Sequence, residues 1–351
     1  MKRIIAILLI CLLALCACGE NQQEPAENLV APPTLDYLSA WENTASVAED
    51  EAYIFYAKAD GIYRLAKDGS EDKRIYEAED PDELFVTDDR VYFTLKDYAT
   101  VEKYKEYNGE LADKSINAVD KNGKGFKVIF DSTVAKQNNC EEMDFTNIGD
   151  YFVEGDILIS ANMMSFSFMI DMKDGSFEML QDDMYIVNSF AINDGKFYYI
   201  PHAPRKLTLF SYDIDTKAVE IVCGDGVVVE DGEPEKDFYC KDFCIIDDVI
   251  YVFGWDSAMG GHGIVKLTEN GLELICKNEG YVVQNYGDSI YFQEVENGIL
   301  NIYEYDVKTN TQKTAATVED YKQGEIWCVV NGYVYYAPIE KSEVKTALIE
   351  E

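Results

Sequence analysis

One short pattern recurs seven times along this chain and constrains its fold more than any other feature. Each copy has an acidic or glycine-containing turn pair followed by three apolar or aromatic residues, as in DGKFYY at positions 194–199. The middle residues of the copies lie at 55, 92, 158, 198, 251, 291 and 335, at intervals of 37, 66, 40, 53, 40 and 44 residues. A period near 40 residues with two insertions is typical of a repeat architecture.

Each repeat contains more than one predicted strand. In each repeat an apolar run precedes the turn pair, and an aromatic run follows the pair. Two further strand-like runs come next along the chain, as at 62–65 and 74–76. Asp-Gly, Asn-Gly and Asp-Asp pairs between apolar runs favour tight hairpins, because these residues tolerate positive φ. Four antiparallel strands in a unit of about 40 residues predict an all-β fold, a β-propeller with seven four-stranded blades.

The seventh repeat contains three predicted strands, at 326–330, 333–337 and 344–349. A propeller closes so that no strand edge is left exposed. We therefore expect an N-terminal strand at residues 34–39 (TLDYLS) to complete the last blade, so that residues 34–351 form one propeller domain.

The first repeat also resembles a known family. Residues 54–70 (IFYAKADGIYRLAKDGS) combine an aromatic second strand, an Ile-Tyr-Arg third strand and an Asp-Gly-Ser turn. In these features the repeat resembles the YWTD-type propellers of the low-density-lipoprotein receptor group and their relatives on bacterial lipoproteins. The sequence FYAK at 55–58 stands where the four-letter motif of that family would be. The resemblance implies a propeller over roughly residues 44–351, and it carries over no catalytic or binding residue.

Residues 1–17 have the organisation of a signal peptide. Two basic residues precede an apolar run of fourteen residues at 4–17, which is shorter than the roughly 20 residues that a membrane-spanning helix needs. The sequence LCAC at 15–18 resembles the bacterial lipobox. That resemblance implies cleavage after Ala17 and a diacylglycerol thioether on Cys18, and two acyl chains suffice for stable anchoring. An ordinary secretion signal is the alternative.

We therefore expect a bacterial lipoprotein on the extracytoplasmic face of the cell membrane. Residues 18–33 are polar and contain proline, which is typical of a flexible tether between the lipid and the folded domain. This tether would separate the propeller from the bilayer surface.

Charge and the rarity of histidine exclude several classes of function. The chain has 66 acidic and 30 basic residues, a net charge of −36, so it repels phosphate backbones and a nucleic-acid partner is excluded. Its two histidines make a histidine-rich metal site improbable. The sequence also lacks a calcium-binding loop, a P-loop and a nucleophile elbow. We therefore expect no metal, no cofactor and no catalytic residue.

The cysteines favour neither a zinc ribbon nor a thioredoxin-type site, because the sequence lacks a CxxC motif. Cys223 and Cys240 bracket a predicted loop, and a disulfide between them is allowed outside the cytoplasm. The alternative is that both are free thiols, and the sequence leaves this open.

The long connections are predicted to lie on one rim of the propeller. The connections from second to third strands and from one blade to the next share this rim, and the long ones are at 96–115, 131–144, 224–241 and 254–262. Function is often located on long loops held by a rigid scaffold, although neutral drift is the alternative. Aromatic residues with a scattered arginine suit protein or carbohydrate recognition. The rim candidates are Tyr98, Tyr104, Tyr107, His202, Arg205, Tyr239, Trp255 and His262.

These features predict a monomeric, membrane-anchored binding or scaffolding lipoprotein whose partner is an envelope protein or a carbohydrate. Two alternatives remain. One is an extracytoplasmic hydrolase or lyase that acts on polysaccharide, with carboxylates at the channel mouth, and the other is a sensor ectodomain. A deep channel pocket with several carboxylates would favour the enzyme, whereas a broad aromatic rim would favour the binding module.

Overall fold

The computed structural model describes residues 29–40, 43–97, 113–138, 150–161, 167–180, 187–201, 208–224, 238–256, 261–277, 283–319, 326–337 and 343–349. By its internal contacts the chain divides into two units, Met1–Ala31 and Pro32–Glu351. The strands given below all belong to the second unit. Seven antiparallel sheets follow one another along this unit, each made of strands that are consecutive in sequence. The predicted all-β, seven-bladed propeller is therefore confirmed.

The blades are numbered in chain order. The strands of blades 1–4 are β1 (Val47–Glu49), β2 (Tyr53–Lys58), β3 (Gly61–Ala66), β4 (Asp72–Glu77); β5 (Asp82–Val86), β6 (Arg90–Asp97), β7 (Asp113–Asp120), β8 (Lys127–Phe130); β9 (Tyr151–Glu154), β10 (Ile157–Ser160), β11 (Phe168–Asp171), β12 (Ser176–Met179); β13 (Val187–Asn193), β14 (Lys196–Pro201), β15 (Leu209–Asp213), β16 (Val219–Cys223). The strands of blades 5–7 are β17 (Phe238–Ile246), β18 (Val249–Asp256), β19 (Gly261–Thr268), β20 (Gly271–Lys277); β21 (Val283–Tyr286), β22 (Ser289–Glu296), β23 (Ile299–Asp306), β24 (Thr311–Val318); β25 (Ile326–Val330), β26 (Tyr333–Ala337), β27 (Lys345–Leu348). The first strand of each blade is innermost, because these strands contact one another from blade to blade.

Tight turns join the first and second strands, as the repeated turn pairs predict. Asp247 and Asp248 have φ values of 49° and 62°, and Asn331 and Gly332 have φ values of 48° and 72°. Two successive positive φ values are typical of the type I′ turn, whose twist matches that of a two-stranded hairpin. The side chains of Asp and Asn tolerate this conformation better than other side chains, which explains their recurrence.

Aromatic and aliphatic side chains fill the spaces between neighbouring blades. Phe130 of blade 2 stacks on Phe168 of blade 3 with ring centroids 4.2 Å apart. Phe253 of blade 5 and Phe292 of blade 6 share another buried cluster. Sheets that are apolar on both faces need large side chains to fill these wedges, which accounts for the high content of Phe and Tyr.

The prediction that residues 34–39 complete the last blade is wrong. In this segment the Tyr37 hydroxyl donates to the carbonyl of Pro81, and the Ser39 carbonyl accepts from the Ser46 amide at 2.9 Å. Leu38 is fully buried. The segment thus packs against blades 1 and 2, where Tyr37 joins their shared apolar cluster. Within the described residues, blade 7 contains three strands and the other six blades contain four.

One short helix lies in the connection predicted at 131–144. Helix α1 (Ser132–Gln137) begins after Asp131, whose carboxylate accepts from the amides of Thr133 and Val134 at 2.8 Å. This capping satisfies amides that have no partner inside the helix. Across the described ranges, no helix is long and apolar enough to cross a membrane.

Candidate functional site

The candidate site lies at the rim, defined here as the end of the propeller where the innermost strands begin. The connections from second to third strands and between blades lie at this end, because antiparallel strands alternate in direction. Five of the predicted contact residues lie outside the described residues, so their placement stays a prediction: Tyr98, Tyr104, Tyr107, His202 and Arg205.

The other three candidates lie on strands and not on loops. Residues 254–262 are predicted to form a loop, but β18 continues to Asp256 and β19 begins at Gly261. Residues 224–241 are predicted to be a loop as well, but β17 begins at Phe238. The rim of blade 5 is therefore an extended three-stranded ribbon that holds its residues at fixed positions in the sheet.

The strand register places these three residues in one row. Tyr239 of β17 lies directly opposite Trp255 of β18, and Trp255 lies directly opposite His262 of β19. Directly opposite positions in an antiparallel sheet share one face, about 5 Å apart. We call Tyr239, Trp255 and His262 the rim row. The sequence suggested each residue separately, but only the register shows that they are neighbours.

His262 is the member of the rim row whose surroundings are described. Its ring stacks on Phe253 with centroids 5.9 Å apart and an interplanar angle of 21°. Its Nε2 atom lies 3.4 Å from the Nζ atom of Lys241. Burial lowers the pKa of the Lys241 ammonium. Lys241 therefore places a cationic group beside the imidazole ring of His262.

A second cluster, which sequence reasoning missed, lies at the rim end of blades 1–3. The Glu83 carboxylate accepts from Lys114 at 2.6 Å and from Thr94 at 2.9 Å, and it is almost completely buried. Burial raises the pKa of Glu83, although Lys114 opposes this effect. The neighbouring Asp82 carboxylate accepts a hydrogen bond from the Ser39 hydroxyl.

Glu83 also has an unusual backbone conformation, with a φ of 52°. A non-glycine residue in this region costs of order 1–3 kcal/mol, so surrounding contacts must hold it there. The register of β5 against β6 shifts between Asp82 and Phe85, which is the irregularity that accommodates this conformation. No motif in the sequence marks this position, because glutamate has no preference for positive φ.

Asp150 lies close to this cluster, directly before β9. Its carboxylate accepts from the backbone amide of Asn43 at 3.0 Å, from the Asn43 side-chain amide at 2.7 Å and from the Thr44 hydroxyl at 2.9 Å. Burial raises the pKa of Asp150 to about 7, even though these hydrogen bonds favour the charged form. The carboxyl thus connects blade 3 to the segment that leads into blade 1.

Cys223 and Cys240 are adjacent in the fold. Both are buried free thiols in this structure, and the Cys240 thiol lies 3.8 Å from the carbonyl oxygen of Cys223. The hydrogen bond between the thiols lowers the pKa of Cys223 and raises that of Cys240. The sequence leaves a disulfide between them open, and the structure places the two residues next to each other.

The described part of the chain contains no group of three or more His, Cys, Asp or Glu side chains arranged to hold a metal ion. The carboxylates of Glu83 and Asp150 are instead occupied by lysine, hydroxyl and amide partners of the protein. These contacts stabilise the rim, because each of the two buried carboxylates has hydrogen-bond partners within the protein.

No protein-family model matches the chain, and no curated protein matches it by sequence. Solved structures match by fold. An oligogalacturonate lyase in complex with manganese has a TM-score of 0.56 and 11% identity, over 85% of this chain and 86% of the lyase. PorZ, a surface component of the type-IX secretion system of Porphyromonas gingivalis, has a TM-score of 0.53 and 14% identity over 90% of this chain.

The extracellular domain of the putative one-component system BT4673 from B. thetaiotaomicron has a TM-score of 0.50 and 10% identity over 91% of this chain. This chain spans 38% of PorZ and 40% of the BT4673 domain. The propeller fold is therefore shared with a bacterial surface protein, with a lyase and with the extracellular domain of a one-component system. The chain is a seven-bladed β-propeller that resembles bacterial propeller domains.

Proposed function

We propose that this chain is a membrane-anchored, extracytoplasmic lipoprotein whose propeller binds a protein or carbohydrate ligand at its rim. The observation that supports this most is the rim row, in which Tyr239, Trp255 and His262 occupy directly opposite positions on three strands. Large side chains on a rigid sheet supply contact area at a low cost in conformational entropy. The lipobox resemblance at Cys18 supports the location.

Enzymatic action on a polysaccharide is the second candidate, and one observation favours it. Burial raises the pKa of Asp150 to about 7, a value suited to a general acid or base. We rank this function second because Asn43 and Thr44 already occupy the Asp150 carboxylate. A sensor ectodomain would use the same rim for binding and differs only in its partner.

Capture of ligands from the native envelope tests the proposal. The lipidated protein and its Trp255→Ala variant are used as baits, and captured proteins and glycans are identified by mass spectrometry. A Tyr63→Ala bait is the control, because Tyr63 lies in blade 1, away from the rim row. We expect a component that wild type and Tyr63→Ala retain and Trp255→Ala loses. Equal capture by all three baits would contradict a binding function for the rim row.

A further inference from the structure

A short hairpin precedes blade 1 in the chain. Ala40 and Ala45 form an isolated antiparallel bridge. The Ser39 amide donates to the Ser46 hydroxyl at 2.6 Å, and the Ser46 amide donates to the Ser39 carbonyl at 2.9 Å. We call residues 39–46 the N-terminal hairpin, of which positions 41 and 42 lie outside the described residues.

The hairpin extends the sheet of blade 2 at its inner edge. Leu84 lies on β5, the innermost strand of blade 2, and forms an isolated bridge with Ala45. The Leu84 amide donates to the Ala45 carbonyl at 2.7 Å. The other edge of β5 pairs with β6, and the innermost strands of a propeller surround its central channel. Ala45 therefore occupies a strand edge that faces the channel.

The hairpin also reaches blades 3 and 4. The Asn43 side-chain amide donates to the Asp150 carboxylate at 2.7 Å and to the Phe190 carbonyl at 3.3 Å. The Thr44 hydroxyl donates to the other oxygen of the Asp150 carboxylate at 2.9 Å. Asp150 directly precedes β9, the innermost strand of blade 3, and Phe190 lies on β13, the innermost strand of blade 4. The hairpin thus bonds to blades 2, 3 and 4 before the chain enters β1 of blade 1.

This path places the hairpin in the mouth of the channel. Blades 1 and 4 are three steps apart in a ring of seven, so they lie on nearly opposite sides of the channel. The hairpin fits closely there, because Ser39, Thr44 and Ser46 are all buried. We propose that the N-terminal hairpin is a plug that closes the rim mouth of the central channel and must leave before a ligand can enter the channel from the rim.

Hydrogen bonds to two buried carboxylates hold the plug. The Ser39 hydroxyl donates to Asp82, and Asn43 and Thr44 donate to Asp150. Buried carboxylates are costly without donors, and the hairpin supplies donors to both. The neighbouring Glu83 receives its donors from the blades themselves, including Lys114. Loss of a donor from the hairpin should therefore loosen the plug and leave the bonds of Glu83 intact.

A closed mouth affects the two candidate functions differently. A polysaccharide-acting enzyme with Asp150 at the channel mouth could reach its substrate only after the plug had left. The rim row lies on blade 5, whereas the bonds of the plug described above go to blades 2, 3 and 4. Binding at the rim row therefore requires no opening of the plug, and the plug does not depend on the ligand proposed for that row.

Hydrogen exchange of the full chain, measured residue by residue, tests the plug. The Leu84 amide is the probe, because its bond to Ala45 exists only while the plug is seated. We expect Asn43→Ala to speed exchange of this amide about tenfold or more, because the variant loses two side-chain hydrogen bonds, one of them to a carboxylate. Thr44→Val loses one bond and should have a smaller effect in the same direction.

Two controls separate local opening from unfolding. Amides of β22 in blade 6 should exchange at the wild-type rate in both variants, because they are protected by a distant blade. Asn270→Ala is the matched variant, since Asn270 is exposed in the turn between β19 and β20. It should leave the exchange of Leu84 unchanged. Thr44→Val remains informative if Asn43→Ala does not fold.

Three results would overturn the proposal. If the Leu84 amide of the wild type exchanges like an unprotected amide, the plug is not seated. If both hairpin variants leave its exchange at the wild-type rate, the bonds to Asp150 do not hold the plug. If the Leu84 and β22 amides speed up by the same factor, the hairpin leaves only when the whole domain unfolds, and it is then a fixed part of the fold and not a plug.

Discussion

Tyr286 of blade 6 donates a hydrogen bond of 2.6 Å to the Glu49 carboxylate of blade 1. The two residues are 237 positions apart in the chain, and their blades flank the last blade. Glu49 also pairs with Lys67 at 3.0 Å, so its position is fixed from both sides. This contact joins the two ends of the repeat array on the side opposite the rim.

Loss of the Tyr286 hydroxyl is expected to weaken ring closure. A hydrogen bond to a charged group contributes about 1.5–3 kcal/mol, so Tyr286→Phe should lower the melting temperature by several degrees. Tyr63→Phe is the control, because the Tyr63 hydroxyl bonds to the exposed Asp60. Thermal melting of the three proteins checks this, and equal melting temperatures would show that the contact does not hold the ring together.

Gly61 is required by the close approach of two strands in blade 1. Its φ is 150°, and an added Cβ would lie 2.2 Å from the carbonyl oxygen of Tyr76. We expect Gly61→Ala to lower the free energy of unfolding by more than about 1 kcal/mol. Gly155→Ala is the matched control, since Gly155 also has a positive φ but no atom lies within 4 Å of its added Cβ. Urea unfolding measures both, and the larger loss should occur at Gly61.

The sequence predicted the blades well because each blade is a local structure. All seven turn-pair patterns fall at the start of second strands, and Asp, Asn and Gly mark turns through their own backbone preferences. The position of residues 34–39 was not predictable in this way. It depends on contacts such as that of Tyr37 with Pro81, 44 residues away, which leave no local pattern.

The sequence analysis named candidate residues for the site, but it predicted a loop where the structure has strands. The glycines near Trp255 suggest a loop, yet Gly254 and Gly263 pair directly opposite each other inside the sheet. Backbone hydrogen bonds need no side chain, so glycine pairs are compatible with a continuous ladder. The buried carboxyls of Glu83 and Asp150 could not be singled out among 66 acidic residues, because burial is a tertiary property.

The lipobox resemblance predicts that membrane anchoring depends on Cys18. We expect Cys18→Ala to abolish lipidation and move the protein from the membrane fraction to the medium or periplasm. Cys16→Ala is the control, because residue 16 precedes the proposed cleavage site and is removed with the signal peptide. Mass spectrometry of the mature N-terminus is the measurement. An unmodified Cys18 in membrane-derived protein would contradict lipidation.

The Cys223–Cys240 pair is expected to form a disulfide in an oxidising compartment. Each thiol would lose one proton and one electron to a disulfide-carrying oxidant, and the S–S bond would close the segment 224–239. Closing a loop of this length stabilises the fold by about 3 kcal/mol. Peptide mass spectrometry without reductant should find the cross-linked peptides, while the buried Cys244 and Cys328 remain thiols. Alkylation of both Cys223 and Cys240 in envelope-derived protein would refute the bond.

Asp150 is expected to make stability depend on pH. Its pKa is raised by burial from 3.8 to about 7, so the folded protein retains a proton that the unfolded chain releases above about pH 4. Stability from this group is therefore fully present below about pH 4 and is lost as the pH rises to 7. A difference of three pKa units corresponds to about 4 kcal/mol.

The Asp150→Asn variant lacks this carboxyl and therefore tests whether Asp150 causes the pH dependence of stability. Between pH 5 and pH 8 the wild type should lose more stability than the variant, because a side-chain amide has no ionisable proton in this range. Glu83 is also buried and has a raised pKa, so part of the pH dependence should remain in the variant. Asp174→Asn is the control, because its carboxyl is exposed and its pKa is lowered by bonds to Ser176. Urea unfolding at pH 5, 6, 7 and 8 provides the measurement. If the stability difference between wild type and Asp150→Asn is the same at all four pH values, Asp150 does not titrate in this range, and the hydrogen bonds from Asn43 and Thr44 outweigh its burial.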